Sequence, residues 1–414
     1  MRRIWLGYFA IPLAILSHYV WPAHGSEKME HWEPLLTFIL SGIALIPPAH
    51  LMGEATAHLA EKTGPTIGGL LNATFGNAAE LIIGIIALTK GLNDVVKASL
   101  TGSIVGNLLL VAGAAMVIGG WRRERQRFSR DSAQTNSALL AVSVAAMLVP
   151  AIFHFTYPRD THLLEHEAGL STGTAIVLLA VYVLGLFFTL KTHRHIFSAT
   201  PAQSPEDPIG PYLHGDWSVK KSTIALLVAS VLTAVVAELL VGSVARVAES
   251  LRWNQIFVGA ILLAIFGNAA EHSTAVLLAR RNDMETAMTI TYQSSLQIAL
   301  FATPFLVLLS EVLVGLRLPS CRRLDMVFSP MEVVAVILTV AVVIVIGLNG
   351  ETNWFEGVML LAVYAILGIA FFYIPSGTPG GYDNVPAEGF GHGASAVSPA
   401  PPLPPRGPTD VTAR

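Results

Sequence analysis

Blocks of about twenty mainly apolar residues recur roughly eleven times along this chain, and that is the length a helix needs to cross the hydrocarbon core of a bilayer. They run near residues 4–21, 35–53, 66–89, 97–119, 134–155, 171–191, 221–244, 255–279, 285–313, 330–348 and 354–374. Only 13 % of the 414 residues are charged, about half the share usual in a soluble protein, and the mean hydropathy is +0.60. The sequence therefore predicts an all-α polytopic membrane protein embedded in a lipid bilayer, with about eleven transmembrane helices.

The loops between these blocks are short and leave no room for a soluble catalytic domain. The expected organisation is a helix and external loop over 1–33, a five-helix set over 34–191 and a cytoplasmic linker over 192–220. A second five-helix set follows over 221–375, then a tail over 376–414 too rich in Pro, Gly and Ala to bury a core. Arg2 and Arg3 before the first apolar run also resemble the start of a signal peptide, with Ala23 and Gly25 behind it. A retained first helix is expected, and cleavage would leave every later span in the same orientation. Lys and Arg concentrate in alternate loops, fourteen against nine before the tail, chiefly through Arg122, Arg123, Arg125, Arg127 and Arg130. That bias predicts a cytoplasmic N-terminus and an external C-terminus in the cell's plasma membrane.

Several function classes drop out. The net charge of −3, without a basic cluster interleaved with aromatics, does not indicate nucleic acid. One cysteine, Cys321, excludes an intrachain disulfide framework and any cysteine-based metal site. An enzyme would have to rest on His162, Glu165, His166 and Glu167, which fall in a loop outside the expected bilayer; the chain reads as a non-enzyme with no cofactor.

A six-residue repeat carries the functional argument. Phe75-Gly76-Asn77-Ala78-Ala79-Glu80 recurs letter for letter as Phe266-Gly267-Asn268-Ala269-Ala270-Glu271, an offset of 191 residues. The same offset brings Ser103 onto Ser294 and Asp94 onto Glu285. Each copy lies in the second span of a five-span set, and an odd number of spans turns the second set upside down. Secondary transporters built this way place their substrate near the midplane, where the repeats meet.

The motif's chemistry suits a cation. Residues four apart share a helix face, so Gly68, Asn72, Gly76, Glu80 and Gly84 form one stripe and Gly259, Leu263, Gly267, Glu271 and Ala275 the other. Small residues allow close helix approach. Asn77 and Asn268 stand three residues before their glutamates, within reach of the carboxylates. Two carboxylates, two amides and backbone carbonyls at Gly76 and Gly267 make an all-oxygen set, which fits hard calcium better than zinc or copper. Ser103, Ser294 and Gln297 on the following helices could complete it. Helix packing would explain one such stripe, but a mid-membrane carboxylate costs roughly 2.5–3.5 kcal/mol on insertion scales. Meeting that cost twice, in register, argues for function.

Together with Gly68-Gly69-Leu70-Leu71-Asn72-Ala73-Thr74-Phe75, the repeated motif and Gln293-Ser294-Ser295-Leu296-Gln297-Ile298-Ala299-Leu300-Phe301 resemble the calcium/proton exchangers of the calcium/cation antiporter superfamily. The likeness runs from about Pro34 to Pro375 and includes Gly350-Glu351-Thr352-Asn353-Trp354. It implies eleven helices, a central calcium site at Glu80 and Glu271, and calcium efflux driven by proton entry. This chain departs from the pattern at Ala57-His58 and at Ala245-Arg246, where the family often carries acids. Glu54, His58 and Glu238 are the candidate replacements on a proton pathway.

Calcium and protons can compete for the same carboxylates, and two carboxylates permit two protons per calcium. A sodium/calcium exchanger is the nearest competing reading, although the motif does not resemble that branch; a divalent cation channel is the other. Manganese and cadmium also accept oxygen-rich sites, and homo-oligomerisation is left open.

Overall fold

The computed structural model describes residues 5–19, 32–157, 161–192 and 217–375. Residues 193–216 of the expected linker, the tail and the side chains of Asn72 and His162 lie outside the described residues. After a short turn, α1 spans Ala10–Tyr19, α2 Glu33–Phe75, α3 Ala78–Thr89 and α4 Asn93–Gly120. Then come α5 (Arg130–Thr156), α6 (Thr161–Phe187) and α7 (Val219–Leu251). The motif's second copy separates α8 (Gln255–Gly267) from α9 (Ala269–Arg280). The chain finishes with α10 (Met284–Gly315), α11 (Pro330–Gly347) and α12 (Trp354–Phe372).

Polar residues at the loop boundaries start these helices. Ser129 and Ser218 accept from the amides of Ser132 and Lys221, each at 3.2 Å, and open α5 and α7. Ser329 with Glu332, and Asn353 with Glu356, form capping boxes ahead of α11 and α12. The helices otherwise turn apolar residues outward, such as Val183 and Leu184 on α6, as lipid contact requires.

Among the described residues, eight helices are long and apolar enough to cross a membrane, nine with the bent pair α8–α9 as one span. The expected eleven is therefore not reached by that measure. The first segment is short where it is described, and the span expected at 66–89 is interrupted after Phe75.

The structure also differs from the expected 35–53 and 66–89 spans by carrying helix continuously through Glu33–Phe75. Helix-forming Ala55, Ala57 and Ala60 fill the stretch expected to be a loop. The helix is not straight, however. In a straight helix residues eight apart stand about 12 Å apart, whereas a Cβ on Gly68 would come 2.5 Å from the Ala60 carbonyl oxygen. The chain folds back between them.

The two halves point in opposite directions. At one end of α4, Asn93 donates to the Arg323 carbonyl and Lys97 pairs with Asp325 at 2.7 Å. At its other end, Arg123 donates to the carbonyls of Gly119 and Arg280. Twenty-eight helical residues, about 42 Å, separate these ends. Because α3 runs toward the first end and α9 toward the second, the two motif helices are antiparallel copies. Their limits keep the sequence offset, Ala78 to Ala269 and Thr89 to Arg280.

A two-residue β-ribbon joins the second end, where β1 (Gln126–Arg127) pairs antiparallel with β2 (Glu351–Thr352). It is a small exception to the all-α expectation. Arg125 and Arg127 both reach Glu351, at 2.8 and 3.1 Å, and the hydrogen bond from Arg125 holds that carboxyl below its usual range. The basic loop is thus pinned to the turn between α11 and α12.

Candidate cation site

Both copies of the motif break their helix at the same place. Asn77 (φ −111°, ψ 32°) and Asn268 (φ −95°, ψ 7°) leave helical geometry, and new helices begin at Ala78 and Ala269. The second break bends the chain by 60°. A break puts a helix N-terminus, with its unpaired amides and partial positive charge, inside the bundle. Glu80 and Glu271 lie in the first turns of these half-helices, where the dipole favours a carboxylate. Each half-helix runs 12 residues, about 18 Å, outward to its own end, so the two starts meet near mid-depth.

Neither asparagine caps its own helix; both reach across to the other half. Asn77 donates to the Gln297 side-chain oxygen through a very short contact. Asn268 donates to Ser103 Oγ at 2.8 Å and to the Ala264 carbonyl at 2.9 Å, and its own oxygen accepts from Asn107 at 3.4 Å. Ser294 donates to Glu271 at 2.7 Å. Glu80 lies against the opposite motif, since a Cβ on Gly267 would stand 3.8 Å from its Oε1. The two carboxyls interact electrostatically. Gly76 occupies the turn beside Asn77.

The site is not symmetric. Glu80 is 6 % exposed, whereas Glu271 is half-buried. The oxygen of Asn77, also buried, has no hydrogen-bond partner among the described residues. An orphaned acceptor beside two carboxylates favours a guest that accepts electron pairs. Among the described residues, no group of three or more His, Cys, Asp or Glu side chains is placed to hold a metal ion. Amide, hydroxyl and backbone oxygens would have to complete any shell around the two acids, which selects for hard cations.

Of the three residues expected on a proton pathway, Glu54 and His58 stand one turn apart on α2, whereas Glu238 stands on α7 and pairs elsewhere. Glu54 lies near Tyr8. His58 is 1 % exposed and stacks on Trp217, ring centroids 4.9 Å apart, with the Lys221 ammonium over that indole at 4.1 Å. Neither ring nitrogen of His58 has a partner among the described residues. Glu238 lies far along α7 from Trp217 and pairs with Lys90 at 2.6 Å, at the outer end of α3. In the candidate enzyme cluster, Glu167 is instead tied to His154 at 2.6 Å. Asn107 is the residue that the motif spacing did not single out. Its only signal in sequence is its place four residues after Ser103, on the same helix face.

Known proteins resemble this chain over most of its length. The family model for the sodium/calcium exchanger protein matches residues 33–191 and 221–373. The chain belongs to that family. It is 41 % identical over 377 residues to the Ca(2+)/H(+) antiporter ChaA of Bacillus subtilis, covering 90 % of this chain and all of that protein. The Ca(2+)/H(+) antiporter of Synechocystis is 41 % identical over 374 residues, with 88 % of this chain and 95 % of that protein covered. Among solved structures, native YfkE superposes with a TM-score of 0.71 at 35 % identity, covering 90 % of this chain and all of its own. The family match therefore spans α2 to α12.

Proposed function

We propose that this protein is a secondary antiporter that exchanges calcium for protons by alternating access, with Glu80 and Glu271 as the shared binding groups. The observation that carries this reading is the pair of oppositely directed half-helices whose carboxylates meet at mid-depth. The naming of the Bacillus and Synechocystis relatives as calcium/proton antiporters supports it further.

Ionised, the two glutamates supply two negative charges to a divalent ion, and Asn77, Asn268, Ser103, Ser294 and Gln297 supply neutral oxygens. Protonated, they lose the charge that holds calcium. Each cation therefore expels the other, and the membrane barrier is crossed only when one repeat moves against the other around the occupied site. The closely coupled carboxylates titrate as a pair.

Calcium uptake into everted membrane vesicles tests the reading. Uptake is expected to follow an imposed inside-acid gradient and to collapse when a protonophore dissipates it. Uptake driven by a sodium gradient instead would establish the sodium/calcium alternative. Equilibration without any counterflux would establish a channel.

The orientation is part of the proposal. The basic loop, β2 and the start of α7 belong inside, and the loop between α10 and α11 outside. Cys321 lies in that outer loop and is half-exposed. An impermeant maleimide is expected to label it on intact cells, while Glu124→Cys in a Cys321→Ser background reacts only after permeabilisation. The opposite pattern reverses the topology.

A further inference from the structure

The antiport reading leaves open how protons reach a carboxylate pair at mid-depth. Glu285, Thr289, Gln293 and Gln297 are four residues apart along α10 and share one face. All four are half-buried, while the flanking Met288, Tyr292 and Leu296 are buried. The face begins at the end of the protein that carries the basic loop, and it ends at Gln297, which accepts from Asn77. Glu285 takes a hydrogen bond from the Ser129 amide. Gln293 approaches Asn136 of α5 at 3.5 Å, and Asn136 approaches Ser132 at the same distance.

Between these groups lies a cavity of ≈ 10 Å³, lined by Ser129, Ser132, Asn136, Glu285, Thr289 and Tyr292 among others. That is about the space one water molecule needs, and its walls offer several polar partners, the two conditions for hydration. It has no room for calcium with a hydration shell of six to eight oxygens around it.

The repeat supplies a comparison inside the same molecule. The positions equivalent to 285, 289, 293 and 297 are Asp94, Ala98, Gly102 and Gly106. After its first acid this face carries no polar side chain, and it packs hard on α8: Gly102 meets the Ala260 backbone, and a Cβ on Gly259 would lie 2.9 Å from Ala98 Cβ. One repeat uses this face to seal, whereas the other lines it with hydroxyl, amide and carboxyl groups.

We propose that the Glu285–Thr289–Gln293 face of α10, with Ser132 and Asn136 of α5, is a water-bearing path that conducts protons, and not calcium, to the Glu80–Glu271 pair. The proposal rests on the antiport reading. Glu285 and the hydroxyls exchange protons with water, and the amides of Asn136 and Gln293 hold water in file. A proton taken up at the loop end is matched by one delivered to a site carboxylate, so no other bond changes.

The test compares two fluxes in proteoliposomes. Proton-driven calcium uptake needs the path; exchange of radioactive for unlabelled calcium at equal pH does not, because calcium occupies the site in both directions. Gln293→Leu and Thr289→Val are expected to slow proton-driven uptake about tenfold or more while calcium–calcium exchange stays within about twofold. Gln293→Asn, which keeps the amide, should recover most of the coupled flux. A parallel fall of both fluxes in Gln293→Leu, Thr289→Val and Glu285→Gln, or no change in either, overturns the path. Wild-type protein that exchanges calcium but ignores the proton gradient refutes the antiport reading itself, and shows it before any variant is measured.

Discussion

Glu80→Gln and Glu271→Gln are each expected to lower calcium transport on the order of 100-fold or more, with folded protein still present in the membrane. Glutamine keeps the side-chain length and one acceptor oxygen, so the half-helix starts and the Ser294 contact to residue 271 survive. What disappears is a full negative charge facing a divalent ion at mid-depth, where little solvent screens the loss. The proton-binding function goes with it. Stability should change little, because glutamine keeps the shape and volume of each side chain. Glu80→Asp and Glu271→Asp retract the charge by one methylene and should leave measurable residual transport. Transport near the wild-type rate in either glutamine variant, at matched membrane levels, would remove that residue from the site.

Much of this site is legible in sequence because membrane burial makes charge conspicuous. Glu80 and Glu271 stand out against apolar surroundings, and the verbatim repeat pairs them without any coordinates. Ser103 and Ser294 follow from the same offset, and each reaches one member of the opposite or adjacent motif helix. The breaks at Asn77 and Asn268 are not legible in that way. Hydropathy averages across Gly76-Asn77 and Gly267-Asn268 and returns one smooth span, although the backbone divides there into two helices. The crossed partnerships of the asparagines are equally hidden, because Gln297 and Asn107 acquire their roles only when the halves are packed together. Glu54, His58 and Glu238 are candidates only as replacements for acids missing at Ala57 and Ala245, and a missing acid carries no distance information. The fold then sends Glu238 to Lys90 and His58 beneath Trp217. At the chain's second end, the pairing of Gln126 with Thr352 joins segments more than two hundred residues apart, and no local pattern of two residues announces a strand.

Gly102→Ala is expected to be the most damaging single-methyl change in the bundle, and Gly106→Ala one turn later nearly silent. In most helices alanine gains up to about 1 kcal/mol over glycine through backbone entropy, so both variants start with a small advantage. At Gly102 the new Cβ would land on the Ala260 backbone, 2.5 Å from its carbonyl carbon and Cα. Backbone cannot rotate away as a side chain can, so α4 and α8 must separate. Overpacking of that kind costs about 1–3 kcal/mol and sometimes more, which exceeds the gain. The separation also acts on the site, because Ser103 is the next residue and holds Asn268 across the same contact. At Gly106 nothing lies within 4 Å of a Cβ, so the methyl group meets open space and only the entropy term remains. Thermal unfolding in detergent and calcium uptake in vesicles read the two effects together. Gly102→Ala should melt several degrees lower and transport poorly, while Gly106→Ala keeps both properties close to wild type. Equal behaviour of the two variants would mean that the halves are not held together through the Gly102–Ala260 contact.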